Sequence, residues 1–220
     1  MEGGLMKERP PFFLEIHPLL ELYQELDAKI EKVKKETGLD CIKGCGECCS
    51  IAAERIEVSV IEWIPLSLRL WETGEAELYL KKMEKMDPQG PCVFYRKNPS
   101  KEEEECCSVY PWRPLICRAF GFSAIENKHG QPIPVLCSVL KKLRPEIVKE
   151  VDSKIQRGLE IPIHSHYAKR VALIYPEYGK RRYSINEALK RAIELVGFYM
   201  ELIPDGRKGL ERMDSYDRAA

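Results

Sequence analysis

The sequence predicts a mostly α protein, with helical flanks around an irregular cysteine-rich centre. Three observations predict it. Apolar residues recur at helical spacing near both ends, all nine cysteines lie between 41 and 137, and strand signals are confined to two short stretches. A chain of 220 residues can bury a core without staples and sits at the upper end of the roughly 100–200 residues typical of one domain. A single domain over 1–204 with a flexible tail over 205–220 is therefore expected. Hydrophobic residues are 44% and charged residues 32%, an ordinary globular balance. Thirty-five basic residues cancel thirty-five acidic ones, which argues against coating nucleic acid or an anionic membrane.

The elements follow in order. Pro18–Glu36 carries Leu19, Leu20, Leu22, Tyr23, Leu26, Ile30 and Val33 as one stripe, with charges opposite, and Gly38 closes it as a C′ residue. Val58–Trp71 is apolar on most sides and contains Pro65, which predicts one kinked helix or two short ones. Glu75–Met86 reads as a short charged helix. From Asp87 to Leu136 periodicity disappears, and such a stretch needs something to tie it down. Helix returns over Pro145–Arg157, His164–Ile174 and Ser184–Ile203, the last opened by a capping box of Ser184 and Glu187. Arg55–Val60 and Pro132–Leu136 are the two strand candidates.

The densest feature is Cys41-Ile42-Lys43-Gly44-Cys45-Gly46-Glu47-Cys48-Cys49. Thiolates bind soft or borderline metals, and short spacing lets one turn supply several ligands to a centre. Gly44 and Gly46 let the backbone wrap close and aim amide groups at the sulfurs. Cys48 and Cys49 are adjacent, so in helix or strand their side chains diverge; they are expected to serve different irons of one cluster or two neighbouring metals. Cys92, Cys107, Cys117 and Cys137 arrive singly, within Gly90-Pro91-Cys92-Val93-Phe94, Cys107-Ser108-Val109-Tyr110, Arg113-Pro114-Leu115-Ile116-Cys117-Arg118 and the segment after Pro134. No apolar run reaches the ~18 residues of a membrane span. Met1–Pro11 lacks the apolar stretch of an export signal, so a reducing, cytoplasmic setting is expected, where dense cysteine means metal or catalysis more than disulfides.

These segments together resemble the CxxCxxCC, or YkgJ-like, family of cysteine-cluster proteins described as zinc- or iron-chelating, over about Cys41 to Cys137. The resemblance implies a metal centre and no particular reaction. It makes Cys41, Cys45, Cys48, Cys49, Cys92, Cys107, Cys117 and Cys137 the candidate ligands. Cys41 stands three residues before Cys45 where the family name has two, and Cys106 has no counterpart and reads as an extra thiol. Relatives of the family include proteins described as flagellin lysine methylases, but no methyl-donor site is visible here.

Cys41-x3-Cys45-x2-Cys48 is also the spacing of radical S-adenosylmethionine enzymes. Against that reading, a helix precedes the motif, no strand–helix alternation follows, and Cys49 is a surplus thiol. Eight cysteines fit two four-cysteine zinc sites arithmetically, yet several ligands from one loop plus lone distant ones favour an iron–sulfur cluster over Zn2+. A redox or catalytic role is expected of it; a zinc-stapled interaction module and a cluster-dependent enzyme modifying protein or RNA are the alternatives. The partner, a protein or a small molecule, is not readable.

Arg113 and Arg118 flank Cys117 and are candidates to tune a thiolate centre or hold an anion; bracing the Pro114 turn is the competing role. Tyr110 and Trp112 are expected to cover the site. His164 and His166, at a helix start, are expected to point apart rather than share a metal, and His17 and His129 read as surface residues. Lys180-Arg181-Arg182 and Glu102–Glu105 read as solvated runs. No phosphate-binding glycine loop and no Ser/His/Asp signature is present.

Overall fold

The computed structural model describes residues 11–41, 45–50, 53–87, 89–96 and 107–202, with side chains from 16 onward. The first helix, α1 (Pro11–Thr37), buries Leu19, Leu22, Tyr23, Leu26, Ile30 and Val33, the stripe its spacing predicts. It stops at Gly38, whose φ of 71° no β-carbon favours and whose amide reaches back to the Lys34 carbonyl at 2.8 Å.

The apolar run near 60 takes the second of its two expected forms, two short helical pieces, with the strand candidate Arg55–Val60 supplying the strand before them. Strand β1 (Glu57–Ser59) leads into a 3-10 turn, Val60–Trp63, and then α2 (Ile64–Glu72), with Pro65 in the first turn where its missing N–H costs nothing. Helix α3 (Ala76–Glu84) follows. The stretch where periodicity disappears holds a 3-10 turn at Tyr110–Trp112, α4 (Leu115–Ala119), β2 (Ser123–Glu126) and β3 (Pro132–Val135), the last on the strand candidate Pro132–Leu136; the two strands form an antiparallel hairpin with Ile125 opposite Ile133. Then come α5 (Ser138–Leu143), α6 (Pro145–Gln156), α7 (His164–Ile174) and the single turn α8 (Pro176–Gly179). Ser184, expected as a helix cap, ends β4 (Arg182–Ser184), which pairs antiparallel with β1; α9 (Ile185–Leu202) starts directly after it. Glu187 engages Arg191 one turn on, at 2.6 Å. The fold is mostly α, as expected.

Two hydrophobic clusters organise these elements. The first gathers Val58, Trp63, Ile64, Leu66, Leu68 and Leu70 against Ala188, Leu189, Ala192, Ile193 and Val196 of α9, with Val93 and Phe94 inserted from the cysteine-rich stretch. The second packs α1 against Leu115, Ala119, Leu140, Val151, Tyr167 and Val171. The 3-10 turn lies between them: Val60 and Trp63 enter the first cluster while Ile61 enters the second. Glu62, on the same turn, is 1% exposed and is the polar hub of the junction. Its carboxylate accepts the Ser59 amide and hydroxyl, both at 2.8 Å, and the Leu115 amide at the start of α4, also at 2.8 Å. A carboxyl side chain this deep is tolerable because those donors replace its water.

Candidate metal centre

Three of the cysteines pack on the two clusters, Cys92 and Cys117 on the first and Cys137 on the second. A tight turn carries the first group: the amides of Cys49 and Ser50 both donate to the Gly46 carbonyl at 2.9 Å. On this turn the vicinal side chains do not diverge as they would in a regular helix or strand. The sulfurs of Cys48 and Cys49 lie 3.8 Å apart. One proton shared between them holds Cys48 below the ordinary thiol value and Cys49 well above it.

Cys92 is anchored by the motif's own Phe94 and by two residues the sequence did not mark, Asn186 and Lys82. Phe94 is buried against Trp63 and Tyr79, with ring centroids 5.6 and 4.9 Å away, which pins the Gly90–Phe94 turn to the first cluster. Asn186, at the start of α9, clamps both sides of the cysteine: its carbonyl oxygen accepts the Val93 amide at 2.9 Å and its amide donates to the Pro91 carbonyl at 3.3 Å. Lys82 caps the Val93 carbonyl at 2.9 Å. Cys107 is laid beside this turn by an antiparallel bridge to Tyr95 and by Ser108, whose amide donates to the Phe94 carbonyl at 3.1 Å. Cys117 sits on α4, and Cys92 and Cys117 both pack against the first cluster.

Cys137 approaches from the other side, at the N-cap of α5, and packs against the second cluster. Gly121 turns the chain beside Cys137 at φ 85°, an angle that favours glycine; a β-carbon there would lie at ordinary contact distance, 3.7 Å from the Cys137 Cβ. Cys41 is exposed; the seven other described cysteines are half-buried, and all eight are free thiols. Cys106 and Gly44 lie outside the described residues, as do Glu102–Glu105 and the tail.

Electrostatic neighbourhoods divide the thiols. Burial, then the thiols of Cys48, Cys45 and Cys137, pushes Cys41 up to about 11. Burial pushes Cys92 up to about 12, offset by the Phe94 amide donating to its sulfur, and the thiol acting on it is Cys107. Cys117 is raised well beyond the usual range by burial, then by Cys92, with Arg113 opposing and Cys107 and Cys48 adding. Among the described residues, no three His, Cys, Asp or Glu side chains are already closed to the spacing of one ion.

The two arginines differ. Arg113 stacks on Tyr110 with its guanidinium carbon 3.3 Å from the ring centroid, and donates to the Tyr110 and Cys117 carbonyls at 2.9 and 3.2 Å. Its charge reaches both Cys48 and Cys117. Arg118 is 5% exposed and is spent on the scaffold: it donates to Asp27 of α1 at 2.5 Å, to the Arg113 carbonyl at 2.7 Å and to the Pro111 carbonyl.

The histidine pair points apart. His166 meets Glu126 at 3.0 Å on the surface, whereas the His164 Nε2 is buried without a hydrogen-bond partner among the described residues, its protonation disfavoured by burial and by Arg182. No helix among the described residues is long and apolar enough to cross a membrane.

Comparison with known proteins agrees with this chemistry. Residues 40–156, just over half of the chain, match the family model CxxCxxCC, whose description is “putative zinc- or iron-chelating domain”. The chain belongs to that family. No curated protein and no solved structure matches.

Proposed function

We propose that this CxxCxxCC protein holds an iron–sulfur cluster on Cys41, Cys45, Cys48 and Cys137 and uses it as a redox or substrate-binding centre. What supports the reading is the ligand pattern: Cys41, Cys45 and Cys48 come from one short loop, and the distant Cys137 is the cysteine from outside that loop that acts electrostatically on Cys41. Three ligands from a loop and one from afar is a cluster distribution; structural zinc sites more often pair two short knuckles. The donor set fits, since all four are soft sulfurs. Cys41 is exposed, so the centre has an edge that a partner protein or a small molecule reaches.

A bound cluster would supply a one-electron couple or an iron that binds substrate. This chain contributes the rest. Gly46 forms the turn that brings Cys48 round, Gly121 turns the chain beside Cys137 at a φ of 85°, and the Arg113 charge acts on Cys48. That charge favours the more negative state of a thiolate-bound centre.

Zinc is the second reading, favoured by the 3.8 Å between the Cys48 and Cys49 sulfurs. Four sulfurs at ~2.3 Å from a tetrahedral zinc are about 3.8 Å apart. The test is preparation without oxygen. Brown protein with iron and acid-labile sulfide is expected; colourless protein holding zinc alone, unchanged by reconstitution with iron and sulfide, overturns the cluster.

A further inference from the structure

We propose that Cys48 and Cys49 form a reversible oxidation site: once the metal has left Cys48, a peroxide closes the two adjacent sulfurs into a disulfide that a dithiol reopens. The proposal rests on the preceding reading in one respect, that Cys48 is a ligand and Cys49 a spare thiol. The closure itself needs only the geometry of the pair.

Adjacent side chains in a helix or strand point away from each other, so neighbouring cysteines do not ordinarily meet. Here they do. Cys48 and Cys49 lie on a turn in which the Cys49 and Ser50 amides both donate to the Gly46 carbonyl at 2.9 Å. The Ser50 hydroxyl donates to the Glu47 carbonyl, also at 2.9 Å. These bonds bracket the pair, whose sulfurs stand 3.8 Å apart. A disulfide brings its sulfurs to about 2 Å, a closure that rotation about the two short side chains supplies. The turn is also at the surface. Glu47 and Ser50 are exposed on either side, and both cysteines are half-buried, so a small oxidant reaches them.

The chemistry balances with hydrogen peroxide as the oxidant. One sulfur takes an oxygen from the peroxide and becomes a sulfenic acid, with release of one water. The neighbouring sulfur then displaces the hydroxyl: the S–S bond forms as the S–O bond breaks, and the second thiol proton leaves with that hydroxyl as a second water. Two thiols have become one disulfide, and the peroxide has been reduced to water. The product joins α-carbons only about 3.8 Å apart, where disulfides ordinarily span ~4.4–6.8 Å, so it is strained and readily reduced. A dithiol returns it to two thiols and is itself oxidised to a disulfide. Without a neighbour to condense with, the sulfenic acid passes on to sulfinic acid, which thiols do not reverse. Cys49, the surplus thiol of the loop, thereby keeps Cys48 recoverable as a ligand.

The experiment treats the full chain with hydrogen peroxide in two forms, metal-loaded without oxygen and stripped by a chelator. The remaining thiols are then alkylated and mapped by mass spectrometry. In the stripped parent, the peptide holding Cys48 and Cys49 should lose two hydrogens, resist alkylation at both positions, and accept it again after dithiothreitol. The loaded form should resist the same treatment. If the stripped chain unfolds, excess peroxide drives the metal off the loaded protein in place, and the same peptide is read. Cys49→Ser should load metal as the parent does. After peroxide its Cys48 should stand as sulfinic acid, and dithiothreitol should restore a severalfold smaller share of metal than in the parent. A disulfide from either residue to a more distant cysteine, or a stable oxyacid at Cys48 in the parent, overturns the proposal. Loss of metal from Cys49→Ser before any oxidant makes Cys49 a ligand and overturns its role as the spare thiol. Colourless protein holding zinc alone overturns the cluster, and the stripped chain still decides the disulfide.

Discussion

At the scale of single residues, position around the thiols is set by side chains that are not themselves ligands. Asn186 is the clearest. It satisfies the Val93 amide and the Pro91 carbonyl on either side of Cys92, from 93 and 95 positions away in the chain. Asn186→Ala leaves both groups without a partner, which costs about 1–3 kcal/mol each where buried. The expected result is a lower melting temperature together with weaker metal retention against a chelator; Asn186→Asp, which can still accept from Val93, should fall between. The arginines give a second, paired expectation. Arg113→Gln should lower the melt, since it abandons the Tyr110 and Cys117 carbonyls and the Tyr110 ring, and should also shift the reduction potential or the metal affinity, because the charge acting on Cys48 and Cys117 is gone. Arg118→Gln should cost about 1–3 kcal/mol, since it abandons Asp27 and two carbonyls, and leave the potential in place. Potentiometric titration beside thermal melts separates the two, and a potential that moves only for Arg118→Gln would reverse the assignment. Sequence shows that arginines flank Cys117; which one faces sulfur depends on a packing partner, Asp27, that no local pattern announces.

At the scale of elements, legibility follows length. Helices α1, α6, α7 and α9 repeat their apolar spacing over three turns or more, so their sequence marks them within a few residues. Strands β2 and β4 run four and three residues, too short for alternation to register, and β4 exists because β1 lies opposite it. Helix α5 spans six residues between Cys137 and Pro145 and was hidden for the same reason. Interfaces between helices were not legible either. Gly197 looks like a weak point inside α9, where alanine would gain ~1 kcal/mol of helix propensity. Its missing side chain instead admits Trp71 of α2: a β-carbon there would stand 2.4 Å from the ring, whose Nε1 donates to the Ile193 carbonyl at 2.8 Å. Overpacking of this kind costs about 1–3 kcal/mol, so Gly197→Ala should destabilise despite its propensity, and a raised melting temperature would refute the packing argument. The α1–α7 contact gives a pH signature. Arg170, foremost, with Tyr167 and Lys29, holds the Glu25 carboxyl at about 2. A folded value below the unfolded one contributes stability above about pH 4.5 that is lost as the pH falls through about 2. Parent and Glu25→Gln should therefore differ in stability at neutral pH and converge in acid; a gap that persists below pH 2 would argue against the clasp.

At the scale of the whole molecule, candidate ligands pack on both hydrophobic clusters, Cys92 and Cys117 on the first and Cys137 on the second, so the metal state should govern both. The family and its chelating chemistry were legible because four short motifs carry the ligands with their glycines, prolines and aromatics in place. The grouping of the thiols was not, because it depends on which cluster each segment packs against. The raised thiols then predict how the metal-free protein behaves. Burial holds Cys92 up to about 12 and Cys41 up to about 11, so both are protonated at neutral pH without metal. Metal binding must expel those protons, and affinity should climb with pH. The folded chain binds these protons more tightly than the unfolded chain, whose thiols titrate near ~8.5. Their contribution to the stability of the metal-free fold is thus complete below about pH 8.5 and is lost as the pH rises through about 11 to 12. Thermal melts of chelator-treated protein should fall steadily above about pH 8.5, while metal-loaded protein, already deprotonated at sulfur, should hold its melting temperature over the same range. Titrating metal into the stripped protein in weak buffer with an indicator dye should release protons at pH 7. Metal uptake without proton release would mean the thiols are already thiolates, and would remove the basis for the alkaline instability as well.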